Sequence, residues 1–275
     1  MFTLDCKGRL LIIDSPVVMG IINATPDSFY SGSRKSTVDA ALHTAEQMLG
    51  EGATILDIGG QSTRPGSEKI SVDEELLRVI PIIEAISKKF PQSFISIDTY
   101  HSAVAKHAVD AGAAIVNDIS SGLMDTKMLT TVAKLKVPFV CMHMKGTPQN
   151  MQQNPVYENV TKEVIDFFIE RIEACNLAGI KDIIIDPGFG FGKTIEHNFT
   201  LLKELGIFKQ LQKPLLLGVS RKSMIYKTLN ISAEEALNGT TVLNTIGLLN
   251  GANILRVHDV KEAVETIKII STYQK

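Results

Sequence analysis

The chain of 275 residues has no tryptophan, only three cysteines and no apolar run approaching the roughly 20 residues that a membrane helix needs. Cys6, Cys141 and Cys175 are odd in number and far apart. That pattern excludes a disulfide framework and a cysteine-based zinc site, and it points to a reducing compartment, with the cytoplasm as the expectation. An excess of one charge is also missing: 28 basic residues face 30 acidic ones, for a formal net charge of -2. No polyanion-attracting field follows, so nucleic acid is a poor partner. The opening residues, MFTLDCKGRLLII, lack the basic, apolar, small-residue order of a secretory signal.

Several motifs are absent as well. No GxGxxG opens a helix after the first strand, and GFGFGKT (188–194) lacks the spacing of a phosphate-binding GxxxxGK[ST] loop. Nucleotide kinases and dehydrogenases are therefore disfavoured. Nothing nominates a Ser/His/Asp or Cys/His nucleophile. His43, His101, His107 and His197 fall on or beside helical stretches, where solvated surface positions are expected.

What is present is a repeated pattern. Short β-rich runs alternate with longer helix-period segments: VVMGII (17–22), TILDI (54–58), FISID (94–98), AIVNDI (114–119), PFVCMH (138–143), DIIID (182–186), PLLLGV (214–219) and NILRV (253–257). Amphipathic stretches such as TVDAALHTAEQMLGEG, VDEELLRVIPIIEAISKK and PVYENVTKEVIDFFIERIEACNLAG lie between them, several ending in glycine. Eight strands, each followed by a helix, predict one α/β domain, a closed (β/α)₈ TIM barrel, over residues 17–275. Residues 1–16 read as an N-terminal β-hairpin turning at Lys7-Gly8 and plugging the barrel's bottom.

Active sites of such barrels lie at the carboxyl ends of the strands. Nearly every predicted strand here ends in a polar group: Asn23, Asp57, Asp98, Asn117 and Asp118, His143, Asp186, the SRKS stretch at 220–223, and Arg256 with His258. Asp98, Asn117 and Asp186 suit the donor-rich edge of a planar heterocycle, because a carboxylate accepts two parallel N–H bonds. For Asp57 and Asp118 the commoner role of capping the following helix is the expectation. Asp186 differs, since DPGFGFGK continues as a glycine-rich loop and not as a helix. Arg64, Lys222, Arg256 and His258 form an anion-binding set. A charge inside a run as apolar as NILRV needs a partner. Asn23 supplies a hard oxygen, compatible with Mg²⁺ that takes most of its ligands from phosphate and water.

Seven blocks in order, MGIINATPDSF (19–29), DIGGQSTRPGS (57–67), SIDTY (96–100), NDIS (117–120), DPGFGFGKT (186–194), GVSRKSM (218–224) and LRVHDV (255–260), resemble those of the dihydropteroate synthases. The resemblance runs from about residue 17 to the end of the chain. It implies a barrel that condenses the diphosphate ester of 6-hydroxymethyl-7,8-dihydropterin with 4-aminobenzoate, with Mg²⁺, sulfonamide inhibition and a homodimer. By that resemblance the pterin falls to Asp98, Asn117, Asp186 and Lys222, with Met142 near the ring and Arg256 stacked over it. Diphosphate and Mg²⁺ fall to Asn23, Arg64, Arg256 and His258, and aminobenzoate to Phe29, Thr63, Pro65, Phe191 and Ser223. The two loops carrying Phe29 and Arg64 are expected to close over the site and exclude water.

Two departures fall on these loops: Gln61 where many members carry Glu, and SFYSGSR where an Asp-Gly pair is common after the aromatic residue. Two alternatives share the barrel. A corrinoid-dependent methyltransferase domain would not need the SRKS cation, and a non-catalytic pterin-binding protein would not need the diphosphate clamp.

Overall fold

The computed structural model describes residues 1–24, 34–62 and 69–275. Among these residues are ten strands, the last eight of them alternating with helices. The first two, β1 (Phe2–Cys6) and β2 (Arg9–Ile13), form an antiparallel hairpin. Its turn places Lys7 and Gly8 at φ 58° and 81°, the paired left-handed conformation of a tight hairpin turn. The other eight are β3 (Val17–Asn23), β4 (Ile55–Gly59), β5 (Phe94–Asp98), β6 (Ile115–Asp118), β7 (Phe139–Met142), β8 (Ile183–Asp186), β9 (Leu216–Leu217) and β10 (Ile254–Val257). They pair in parallel in the order β8-β7-β6-β5-β4-β3-β10-β9, and a bridge between Ile185 and Leu215 joins the two ends into the barrel.

Strand β9 is shorter than the 214–219 expected from PLLLGV. Pro214 has no N–H to extend the ladder, although its carbonyl accepts from the Ile185 N–H at 2.9 Å. Among the described residues each barrel strand but β9 is followed by one α-helix: α1 (Arg34–Glu51), α2 (Val72–Lys89), α3 (Ser102–Ala111), α4 (Met128–Leu135), α5 (Val160–Ala178) and α6 (Ile195–Lys203), then two after β9, α7 (Ser223–Leu229) and α8 (Leu237–Leu249), and α9 (Val260–Tyr273) last. A 3₁₀ turn, Leu205–Leu211, follows α6. Helix boundaries have local causes. The Asn159 side chain accepts from Lys162 N at the start of α5, and Gly179 at φ 95° ends it.

The barrel interior is layered. Its lowest layer is apolar: Met19, Ile55, Ile115, Val140, Ile184, Leu216 and Ile254 pack on Leu4, Cys6, Leu11 and Ile13 of the hairpin. The plug is pinned at its rim, where Arg9 donates to the Pro91 and Ser93 carbonyls and its guanidinium lies 4.6 Å from the Phe94 ring centre. Outside the strands, a larger core of Ile, Val, Leu and Ala side chains joins barrel to helices. All three cysteines are buried and free.

Candidate active site

Side chains in a strand alternate faces, so the residue two beyond an inward one also points inward, one layer nearer the carboxyl end. Counting two up from the apolar floor gives Ile21, Asp57, Asn117, Met142, Asp186, Gly218 and Arg256. In β5, counting up from Phe94, which packs on that floor, passes Ser96 and reaches Asp98. Ladder register then sets Asn23 beside Gly59, Gly59 beside Asp98, and Asp98 beside Asn117, so the rim itself is one row.

One half of this mouth is an ion network. Arg256 donates from Nε to Asp57 Oδ2 and from Nη2 to Asp98 Oδ2, each at 2.7 Å, and Asn117 Nδ2 donates to the same Asp57 oxygen at 3.1 Å. The charge within NILRV therefore has its partners. Asp57 is fully buried and caps nothing, which corrects the helix-cap expectation: it faces inward beneath Gly59 and serves Arg256. Asp118 does act on local backbone, accepting from Ser120 N, Ser120 Oγ and Gly122 N at 2.7 Å each. What it closes is a turn well before α4, not a helix end. Burial pushes Asp98 up to about 7, against the pull of Arg256 and with Asp57 and Glu75 adding to the rise. Arg256, although burial opposes its charge, is held above the ordinary arginine range by Asp57 and Asp98.

The other half centres on Asp186 and Lys222. They face each other across Gly218, where a β-carbon would lie 3.7 Å from Asp186 Oδ2 and 3.9 Å from Lys222 Nζ. Lys222 Nζ donates to the Phe189 carbonyl and lies 4.7 Å from the centre of the Phe191 ring. Burial lowers Lys222 to about 8, with Asp186 opposing the fall. Burial raises Asp186, while Lys222 and the Gly188 N–H, which it accepts at 2.7 Å, work the other way. Gly188, at φ +69°, must be glycine, since any side chain would run into the His143 carbonyl. Ser223 opens α7 directly after Lys222. Met142 packs with Tyr100 and Ile119, flanked by Met124, Met144 and Phe191, forming an apolar wall.

His258 is exposed at the end of β10, with its Nδ1 3.0 Å from Ser220 Oγ. Asn23 is half-buried at the end of β3. Phe29, Thr63, Arg64 and Pro65 lie outside the described residues, as does most of the NATPDSFYSGSR stretch. Gln61 is described: its Oε1 accepts from Ile70 N at 2.8 Å and its Nε2 donates to the Ser62 carbonyl. His43 and His107 are exposed as expected; His101 and His197 are half-buried, His197 in the capping box that opens α6.

Three buried polar residues were not among the expected site groups. Asp57 was readable from the alternation in TILDI, since it shares a face with Ile55. Lys193, paired with His143, and Glu75 had no such signal. Glu75 is 1% exposed, and burial raises it to about 7 against the weaker pull of Thr99 and Arg78.

Residues 19–258 match the family model described as pterin binding enzyme. Dihydropteroate synthase of Escherichia coli strain K12 is 46% identical over 270 residues, covering 97% of this chain and 95% of that protein. The chain belongs to the dihydropteroate synthase family of pterin-binding enzymes. Among solved structures, Yersinia pestis dihydropteroate synthase in complex with a sulfonamide drug superposes with a TM-score of 0.94 at 42% identity, covering 99% of both chains. The Xanthomonas albilineans enzyme in complex with 7,8-dihydropteroate superposes with a TM-score of 0.89 at 39% identity, covering 99% of this chain and 98% of that one. These relatives span the whole architecture, hairpin included, so the mouth described above stands on the same scaffold as theirs.

Proposed function

We propose that this chain condenses the diphosphate ester of 6-hydroxymethyl-7,8-dihydropterin with 4-aminobenzoate, releasing 7,8-dihydropteroate and diphosphate. The observation that carries the reading is the inward layer Asp57, Asn117, Asp186 and Arg256 with Asp98 above it, in a chain whose Xanthomonas relative holds 7,8-dihydropteroate. Asp98, Asn117 and Asp186 accept the donor edge of the pterin; Met142 packs beside the ring. Arg256, anchored through Nε and Nη2, keeps Nη1 for the ring face or the diphosphate. Lys222, held by the Phe189 carbonyl, donates to the pterin. Phe191 and Ser223, with Phe29, Thr63 and Pro65, receive the aminobenzoate.

The reaction needs little proton transfer at the enzyme. The methylene C–O bond breaks and the diphosphate leaves with the electron pair, its charge met by Arg64, Arg256 and His258. The methylene cation left behind is conjugated with the dihydropterin and lies within the field of Asp98 and Asp186. The arylamine nitrogen then forms the C–N bond and gives its proton to solvent.

The donor chemistry of the mouth fits magnesium. Asn23, on the inward face at the end of β3, offers a hard amide oxygen, and phosphate oxygens and water would complete the shell. When bound, Mg²⁺ would neutralise charge on the leaving diphosphate.

The exposed apolar residues Val242, Ile246 and Leu249 on α8, beside Leu229 of α7, suit a second copy of the chain, giving a homodimer. The buried free cysteines suit the cytoplasm, and no helix among the described residues is long and apolar enough to cross a membrane. The Yersinia relative binds a sulfonamide drug, and we propose the same sensitivity here. The test is direct: purified protein with the pterin diphosphate, 4-aminobenzoate and Mg²⁺ should form dihydropteroate. No product above a no-enzyme control would sink the reading.

A further inference from the structure

Lys193 ends the GFGFGK run. In a phosphate loop such a lysine would reach for an anion; here it turns inward and is 3% exposed. Its Nζ lies 2.9 Å from His143 Nδ1, 2.9 Å from the Gly188 carbonyl, 3.1 Å from the Phe191 carbonyl and 3.4 Å from the His143 carbonyl. No carboxylate is among these partners. Burial pulls Lys193 well below the ordinary lysine range, with the Asp186 charge opposing; in the ammonium form its three hydrogens match the three acceptors at about 3 Å. His143 is itself buried, edge-on to Phe167 at 4.9 Å between ring centres, and burial with the neighbouring Lys193 and Lys145 charges lowers it to about 2. A neutral imidazole with Nδ1 accepting carries its proton on Nε2.

The same loop is gripped on its other side. Asn198 Oδ1 accepts from Gly190 N at 2.7 Å, Tyr157 donates to the Gly192 carbonyl at 2.7 Å, and Gln152 donates to the Gly190 carbonyl at 2.6 Å. Carbonyls therefore divide by direction. Those of Gly188 and Phe191 face Lys193 behind the site, while the Phe189 carbonyl and the Phe191 ring face Lys222 in the mouth. Two lysines hold one glycine-rich loop from opposite sides. Only Lys222 belongs to the mouth.

We propose that Lys193, seated on the His143 ring nitrogen, is the positioning residue of this loop and fixes where Phe191 and the Phe189 carbonyl meet Lys222. It acts through Phe191, so the inference rests on the reading of Phe191 as an aminobenzoate contact. Of the pterin groups, Asp98 and Asn117 stand on β5 and β6, away from the clamp, whereas Asp186 and Lys222 touch the loop through the Gly188 N–H and the Phe189 carbonyl.

The test is Lys193→Met in the full chain, which keeps an unbranched side chain one atom shorter and removes the amine. The KM for 4-aminobenzoate should rise at least about fivefold, and by several-fold more than the Kd of pterin diphosphate measured by calorimetry. An unchanged aminobenzoate KM, or an equal rise in both constants as general loosening would give, overturns the proposal. If Lys193→Met does not fold, ¹⁵N-histidine NMR of the unsubstituted chain decides: His143 should carry its proton on Nε2 and not titrate between about pH 6 and about pH 9. A proton on Nδ1, or a midpoint in that range, overturns it. Should the unsubstituted chain fail to bind pterin diphosphate, the functional reading falls, and the NMR result still judges the Lys193–His143 pair.

Discussion

The floor and the mouth of this barrel are built by the same strands, two to four residues apart, and they have opposite chemistry. At the floor, Ile55, Ile115, Val140, Ile184, Leu216 and Ile254 meet the hairpin's Leu4, Leu11 and Ile13 and expose almost nothing. One layer up, the same strands present Asp57, Asn117, Met142, Asp186, Gly218 and Arg256. The floor gains stability from every methylene it buries. The mouth spends stability, because each charge taken from water must be matched by a partner, and Asp98 is matched only well enough to sit near pH 7. The difference teaches where function sits in a barrel: it occupies the layer in which burial is costly and ligands complete the pairing.

Substitutions at the two ends break this comparison differently. The largest effect is expected for Arg256→Met, which leaves Asp57 and Asp98 buried without their cation. Stability to urea should fall by about 3–5 kcal/mol and kcat/KM by at least about 100-fold. A retained unfolding midpoint would mean that the ion network contributes nothing. At the floor, Leu11→Ala should cost about 2–5 kcal/mol in the same unfolding measurement, with kcat/KM unchanged. A kinetic defect there would show that plug and mouth are coupled.

Glu75→Gln probes the wall behind the mouth. Its folded pKa, near 7, is raised above the ordinary 4.5, so the folded state binds the proton more tightly than the unfolded chain does. The wild-type protein therefore loses stability as pH rises from about 4.5 through 7. The glutamine variant should match it near pH 4, below the unfolded value, and exceed it by up to about 3 kcal/mol above pH 8. Thermal unfolding at the two pH values checks this, and a pH-independent difference would contradict it.

A smaller effect is the pH profile of the wild type. Deprotonation of Asp98 near 7 should raise kcat/KM, and deprotonation of Lys222 near 8 should lower it, giving a narrow optimum between them. A flat profile from about pH 6 to about pH 9 would remove one of the two groups from the site.

Much of this was legible in the sequence because it is local. Polar residues at the ends of apolar runs mark a barrel mouth, and FISID and the VDEELLRVIPIIEAISKK helix begin and end where their patterns say. The Asp57–Arg256 pair was not legible as a pair, since its members are 199 residues apart and meet only when the barrel closes. Asp57 looks like a cap because the aspartate preference for caps is a local statistic, while its inward direction follows from strand alternation. The inward turn of Lys193 was hidden for the same reason: its acceptors are backbone carbonyls and the ring nitrogen of His143, just past β7, none of which leaves a mark in the amino-acid pattern.

The central claim, that chemistry resides in the mouth layer, is tested most directly by Lys222→Ala, assayed for dihydropteroate formation beside its urea unfolding curve. The account predicts kcat/KM lowered at least about tenfold, roughly 1.4 kcal/mol, in a chain that still unfolds in one cooperative transition. Wild-type kinetics in that variant would contradict it.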